Sequence, residues 1–153
     1  MAIEAGLSKF KKNNLKIYIV VLLIFGIWFG YDGHFSEKFR EEHTDANGKP
    51  DSTLVFNQKS PPFFIGAAVL LGVYLFAIRN KKIIAEENEL IISDKKKITY
   101  DSIEKIDKTH FDSKGFFVIT YKNKAGAEVN YKLSDRKYDN LSAVLDELVA
   151  KIS

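Results

Sequence analysis

Two uncharged apolar runs, separated by a polar stretch, limit this chain more than any other feature. Between Lys16 and Asp32 lie fifteen residues, IYIVVLLIFGIWFGY, and between Ser60 and Arg79 lie eighteen, PPFFIGAAVLLGVYLFAI. At about 1.5 Å per residue they cover roughly 22 and 27 Å, against a hydrocarbon core of about 30 Å. The first run therefore has to recruit Leu15 and its flanks, with Lys16 snorkelling outward. Trp28, Tyr31 and Tyr18 lie near its ends, where aromatic belts form. A soluble fold would have to bury both runs beneath a remainder with little other apolar surface. The pattern predicts a transmembrane hairpin, with spans over 15–31 and 61–79.

The first run also has the length of a secretory signal, and KFKKNNLK before it resembles a basic leader region. Its exit, FGYDGHF, lacks a small-x-small cleavage pattern, so an uncleaved anchor is expected. Lys9, Lys11, Lys12 and Lys16 precede the first span, and Arg79, Lys81 and Lys82 follow the second. The intervening stretch, residues 32–60, has four basic and six acidic residues. By the positive-inside rule the N-terminal segment 1–14 and the region 80–153 are cytoplasmic, and 32–60 is an extracytoplasmic loop. The expected location is the cytoplasmic (inner) membrane of a bacterium, multi-pass, with lipids as neighbours. Cysteine is absent, which excludes disulfides, thiolate metal sites and cysteine nucleophiles. The formal net charge of +3 is small and mixed, and argues against nucleic-acid binding.

In the loop, only DGHFSEKFREEH has helical character. Phe35 and Phe39 are four apart, with charged residues on the other faces, as in a short helix that docks on a surface. NGKPD is turn chemistry, and Pro61-Pro62 marks the start of the second helix. Beyond Lys82 the text reads as strands. KIIAEENELIIS splits at Glu87-Asn88 into two runs, KKITYDSIEKIDKTHF follows a SDKK turn, and GFFVITYKNKAGAEVNYKLS is a hairpin. Phe117, Ile119 and Tyr121 share one face of its first strand, and Val129, Tyr131 and Leu133 one face of its second. Leu141, Val144, Leu145, Leu148 and Ile152 recur at spacings of three and four, the mark of an amphipathic helix. The expected fold is an α+β membrane protein: two transmembrane helices, then one small antiparallel sheet of about five strands packed by a C-terminal helix.

The stretch ENELIISDKKKITYDSIEKIDKTHFDSKGFFVITYKN, with the terminal YDNLSAVLDELVAKI, resembles the bacterial pleckstrin-homology-like membrane proteins, in which a membrane hairpin precedes a small antiparallel sheet closed by a helix. The resemblance covers residues 82–153 and rests on pattern. A complete domain of that type has seven strands, two more than can be counted here. It implies binding or scaffolding and names no ligand.

No motif for catalysis is present. His34 and His43 share the loop with Glu41 and Glu42, but their spacing matches no metal-ligand pattern, and His110 lies beside a turn. No catalytic, cofactor-binding or metal residue is therefore assigned, and no cofactor is expected. Gly26 and Gly30 form a GxxxG pair, and Ala68 and Gly72 a small-xxx-small pair. Either the hairpin packs on itself through these faces or one face docks a partner's helix. The lysines of DKKK, 94–97, have two readings, contact with anionic lipid or solubility of a turn. The function expected is a non-catalytic membrane subunit or scaffold that docks on a larger complex or self-associates. The alternative is a tethered sensor or adaptor of anionic lipid or peptide, and a metal-dependent enzyme comes last.

Overall fold

The computed structural model describes residues 1–153 and divides into two compact units, residues 1–12 with 78–153, and residues 13–77. The first unit contains seven strands. β1 (Ile3–Gly6), β2 (Lys82–Ala85), β3 (Glu89–Ser93) and β4 (Lys96–Thr99) form an antiparallel sheet in that order, and β5 (Ile103–Asp107), β6 (Phe116–Lys122) and β7 (Glu128–Ser134) form a second. The expectation of one sheet of about five strands is corrected at two places. KKITYDSIEKID does not run through as one strand, because Tyr100–Ser102 folds into a 3-10 turn that sends β4 and β5 into different sheets. The other addition is β1, four residues that precede the first apolar run.

β1 pairs with β2 in the register Ile3↔Ala85 to Gly6↔Lys82, so strands that are far apart in sequence are neighbours. Everything between them is an insertion into a sheet. The other edge of β1 is held by the segment after β7. Asp139 N–H donates to Gly6 O at 2.9 Å, Asn140 Nδ2 donates to Glu4 O at 3.1 Å, and Leu7 bridges Tyr138. Ser8 is fully buried, its Oγ donating to Arg136 O and accepting from Lys11 N–H. It thereby caps α1 (Lys9–His34), and the Asp139 carboxylate accepts the Lys9 N–H at 3.0 Å. A helix start crowded with lysines is electrostatically unfavourable, and these two acceptors offset part of that.

Alternation explains the core. β6 buries Phe117, Ile119 and Tyr121, as its pattern predicts, and β7 contributes Leu133. α6 (Leu141–Ile152) lays Leu141, Val144, Leu145 and Leu148 over β1, β2 and the 3-10 turn. Ala5, with no exposed surface, is part of the same cluster as Ile83, Leu90 and Ile98. Tyr100 OH donates to Glu86 O at 2.6 Å, tying the β2–β3 turn to the 3-10 turn. Burial, with nearby carboxylates, pushes this phenol up to about 12, which keeps it a neutral donor.

The second unit is helical. Besides most of α1 it holds α2 (Glu37–Glu42), α3 (Ser52–Lys59) and α4 (Pro61–Ile78, of which Ile78 belongs to the first unit). The loop after Asn47 is not irregular as expected. Asp51 caps α3 by accepting the Leu54 N–H at 2.8 Å, and Ser60, in helical conformation, passes the chain almost without interruption into α4. Pro61 and Pro62 lack N–H groups but stand where a first turn leaves N–H groups unpaired. Lys9–His34 and Ser52–Ile78 are both long and apolar enough to cross a membrane. Their apolar side chains are exposed on several faces, including Ile27 and Trp28 on α1 and Phe63 and Leu70 on α4.

Because Ala5 sits in the core, residues 80–153 alone lack one strand of their own sheet. Expressed alone, they should give a collapsed amide spectrum, whereas residues 1–8 joined to 80–153 through a short Gly-Ser turn should give a dispersed one. Ser8→Ala in the joined chain should cost about 0.5–1.5 kcal/mol through loss of the Ser8–Arg136 hydrogen bond, read from urea unfolding. Equal stability of the joined chain and the 80–153 fragment would contradict the role given to β1.

Candidate functional site

The small residues of the two long apolar helices do not behave alike. A Cβ on Gly26 would lie 3.1 Å from Ile65 Cγ1 and 3.4 Å from Phe64 Cβ, and one on Gly30 would lie 3.5 Å from Pro61 Cγ. Gly33 is tighter still: a Cβ there would stand 2.6 Å from the Asn57 carbonyl oxygen, below any normal contact. Gly26, Gly30 and Gly33 are four and three residues apart, so one face of α1 carries the close approach. Ala68 is buried, but Gly72 has nothing within 4 Å of its Cβ position. Gly33 was missed in the sequence because the apolar run was closed at Tyr31. Beside the glycines, the Phe29 ring packs 5.4 Å from Phe56, edge-on, and 5.5 Å from Phe64, contacts worth about 0.5–1.5 kcal/mol each.

The loop has a definite shape. Ser36 Oγ accepts the Phe39 N–H and opens α2, so Phe35 precedes the helix instead of sharing its face with Phe39. Phe35 stacks on Tyr31 and remains largely exposed, whereas Phe39 lies against the His43 ring, with centroids 4.3 Å apart. The structure does not bring the two phenylalanines together. His43 Nδ1 and Asp51 Oδ2 are 2.7 Å apart, closing a bracket over a turn in which Thr44 bridges Pro50 and Gly48 takes φ +77°. The Leu54 N–H and the His43 hydrogen bond hold the Asp51 carboxyl below its usual range. His34 Nε2 is 3.2 Å from Gln58 O, and Gln58 Nε2 donates to Gly33 O at 3.1 Å. His34 and His43 thus have separate partners. His110 lies against Phe116, with centroids 5.4 Å apart, and nowhere do three or more His, Asp or Glu side chains converge as metal ligands would.

The sheet has a basic end and an acidic end. Gly6 pairs with Lys82, the β2–β3 register continued from Ile84↔Ile91 sets Ser93 beside Lys82, and Ser93 pairs with Lys96. That end is where the chain enters and leaves the insertion, through Leu7-Ser8 on one side and residues 79–81 on the other, with Leu7 N–H donating to Lys81 O at 2.9 Å. Lys9, Lys11, Lys12, Arg79, Lys81 and Lys82 are all at or next to it; Lys16 lies one turn further along α1, in the helical unit. Lys82 Nζ is 2.6 Å from Glu4 Oε1. Glu86, Glu87 and Glu89 lie in or beside the β2–β3 turn at the other end.

From this basic end a groove of about 520 Å³ runs along β4, from Asp94 to Thr99 and Ser102, opposite Tyr121, Lys122 and the β6–β7 turn. Lys95, Lys96, Lys97, Lys122 and Lys124 line it, with Asp94 as its single carboxylate. Only 94–97 drew notice in the sequence. Lys122 and Lys124 are part of the same site through the β6–β7 hairpin, which places two separate turns side by side. Comparison with known proteins finds no matching family model, no matching curated protein and no matching solved structure.

Two outcomes follow from the hairpin and its bracket. Gly33→Ala should destabilise the helical unit by about 1–3 kcal/mol through overpacking, lowering the melting temperature in mild detergent as followed by Trp28 fluorescence. Gly72→Ala should hold or slightly raise it, because alanine favours a helix over glycine. The bracket depends on the Asp51 charge. Its pKa is lowered in the folded state, so its stabilisation is complete above the usual aspartate range and is lost as pH falls through the depressed folded value. The Leu54 amide shift should therefore titrate below the usual aspartate range, and Asp51→Ala should abolish that titration.

Proposed function

We propose that this chain is an integral membrane protein of the cytoplasmic membrane, a non-catalytic subunit or scaffold whose folded domain is held at the cytoplasmic surface by a helix hairpin. The observation that carries this reading is the insertion of the hairpin between two paired strands. β1 and β2 lie in one sheet, so the helices that leave it at Lys9 and return to it at Ile78 begin and end on the same side of any bilayer. Connections of two residues and of three leave the domain no freedom to drift from the surface. Cleavage after the first run would strip β1 from its sheet, which favours the uncleaved anchor.

Other features agree. The apolar side chains exposed on several faces of α1 and α4 suit lipid or another helix better than water. The exit end of the sheet is basic, worth about 1 kcal/mol per Lys or Arg near an anionic surface. Residues 82–153, which carry the resemblance to the pleckstrin-homology-like proteins, supply six strands and the closing helix, and β1, ahead of the hairpin, brings the count to seven; a scaffold role is what that resemblance implies. Gly72 offers an open groove on α4 for the transmembrane helix of a partner or of a second copy. A second role, recognition of anionic lipid or peptide, draws on the lysine-lined groove.

The topology is tested with cysteines placed in this thiol-free chain. Ala46→Cys, in the exposed loop turn, should react with an impermeant maleimide in cells whose inner membrane is intact. Ala125→Cys, in the exposed β6–β7 turn, should react only once that membrane is broken. The reverse pattern would overturn the orientation, and equal labelling of both in intact cells would overturn the membrane reading. Gly72→Leu should weaken co-purification with a partner in mild detergent while the melting temperature holds. Release of the wild-type chain from gently solubilised native membranes only as a monomer would oppose the scaffold.

A further inference from the structure

We propose that the helix hairpin pairs with that of a second copy of this chain, α1 of each copy seated against the α3–α4 groove of the other; this rests on the membrane reading above and names the partner. The groove, of about 600 Å³, follows one side of the helix from Pro50 to Phe63, and Val55, Phe56, Lys59 and Ser60 are in its lining. The chain itself leaves two polar groups there without partners. Ser60 is 7% exposed, and its Oγ is the one buried side-chain polar atom with no hydrogen bond, where buried hydroxyls are normally bonded. Lys59 makes no ion pair. Asp51 also lines the groove, but the Leu54 N–H and His43 hold its carboxylate, and eight residues put it on the order of 12 Å along the helix from Lys59. An acyl chain would satisfy neither group, whereas a carboxylate would satisfy both.

The chain carries such a group at the right height. Asp32, half-buried near the end of α1, makes no ion pair. Gly30 packs against Pro61 and Gly33 against Asn57, so Asp32 stands level with Lys59. The two do not meet within one chain, because Lys59 lies two residues, roughly 200°, past the Asn57 that faces α1.

Asp32 and Ser60 share one side of the hairpin. Phe25 and Phe29 pack on Phe64, and Phe29 on Phe56, which marks that side. Ser60 is four residues from Phe56 and four from Phe64, and Asp32 is three past Phe29 and seven past Phe25. Rotating a second copy about an axis along the membrane normal preserves height and lays α1 against the partner's α4. Asp32 then meets the partner's Lys59 at the rim and the partner's Ser60 beneath it, at two symmetric places. The rows that meet are spaced for helix packing. Tyr18, Val21, Phe25 and Trp28, all exposed, lead to Asp32 in steps of three and four, and Phe56, Ser60, Phe63, Ala67 and Leu70 follow in steps of four and three. A pair joined through α4 alone would set Lys59 against the partner's Lys59, a repulsion that the crossed arrangement replaces with two ion pairs.

The test uses the full chain, in bacterial membranes and then in mild detergent. Gly26 against Ile65 sets Phe25 level with Ala67, so Phe25→Cys and Ala67→Cys on separately tagged copies of this thiol-free chain should form a disulfide on oxidation. Phe25→Cys on both copies should not. In detergent the wild type should have twice the mass of the 17.4 kDa chain. Asp32→Lys or Lys59→Asp alone should weaken pairing about tenfold or more, and the two variants co-expressed should pair with each other, each supplying the charge the other lacks. Lys49→Asp should leave the dimer unchanged. Because restored pairing shows that both variants fold, a damaged fold cannot imitate it. The proposal is overturned by a monomeric wild type, by a dimer without the crosslink between positions 25 and 67, by single variants that pair as well as the wild type, or by variants whose melting matches the wild type yet stay apart when co-expressed. Carbonate extraction separates the two readings. A chain released by carbonate overturns membrane residence and the pairing with it. A carbonate-resistant chain that stays monomeric, its groove covered by lipid or by another protein, overturns the pairing alone.

Discussion

The hydrogen bonds between β1 and β2 are the constraint on which the rest of this molecule depends. They join Gly6 to Lys82 across 75 intervening residues. Closing a flexible loop of that length costs on the order of 4 kcal/mol in chain entropy, a large share of what a small domain has to spare. The insertion is not flexible. Gly33 against Asn57, the Phe29 cluster and the His43–Asp51 bracket order it from within, so less of the cost remains for β1 and β2 to meet. Folding of the sheet and order in the hairpin are therefore coupled through the chain itself. The clamp on the outer edge of β1, made by Asp139, Asn140 and the buried Ser8, secures what the pairing begins.

Charge is distributed along the same axis. Cations gather where the chain enters and leaves the insertion, and Glu86, Glu87 and Glu89 lie at the opposite end of the four-stranded sheet. At the start of α1 this arrangement opposes the helix dipole, since Lys9, Lys11 and Lys12 occupy the first turn. Helix stability alone would place acids there. The protein instead keeps the lysines and supplies Ser8 and Asp139 as acceptors, which makes sense if the cations face an anionic surface.

The parts of this structure that were legible in the sequence are those whose signal is local. The β6–β7 hairpin and α6 follow from alternation and from spacings of three and four, and the two long helices follow from uninterrupted apolar runs. Both missing strands failed for want of a local signal. IEAG, residues 3–6, is too short to carry a period, and 75 residues separate it from its partner strand. TYDS holds the β propensity of its flanks, and nothing in it announces a 3-10 turn except Ser102, whose Oγ donates back to Thr99 O at 2.7 Å. The α3 helix was hidden by turn residues on one side and two prolines on the other, although Asp51 before STLV was a readable cap. In the candidate site, DKKK was visible as a run. Lys122 and Lys124 were not, because their proximity to it is a product of tertiary structure.

The strand order also settles what the charge pattern had to be asked to do. From sequence alone, the number of crossings rested on the two apolar runs, and the side on which the domain would lie rested on lysine counts. Once β1 and β2 are paired, the residues before α1 and after α4 are on one side, whatever the loop carries. If either helix crosses a bilayer, the other crosses it back. A single-pass signal anchor with a soluble remainder on the far side is incompatible with the Ile3↔Ala85 register, because it would put the two strands on opposite faces of the membrane. In a bilayer, the lysines would then decide only which face that is. A sheet pairing, which belongs to the folded domain, thus constrains membrane topology more strongly than the hydropathy of either span.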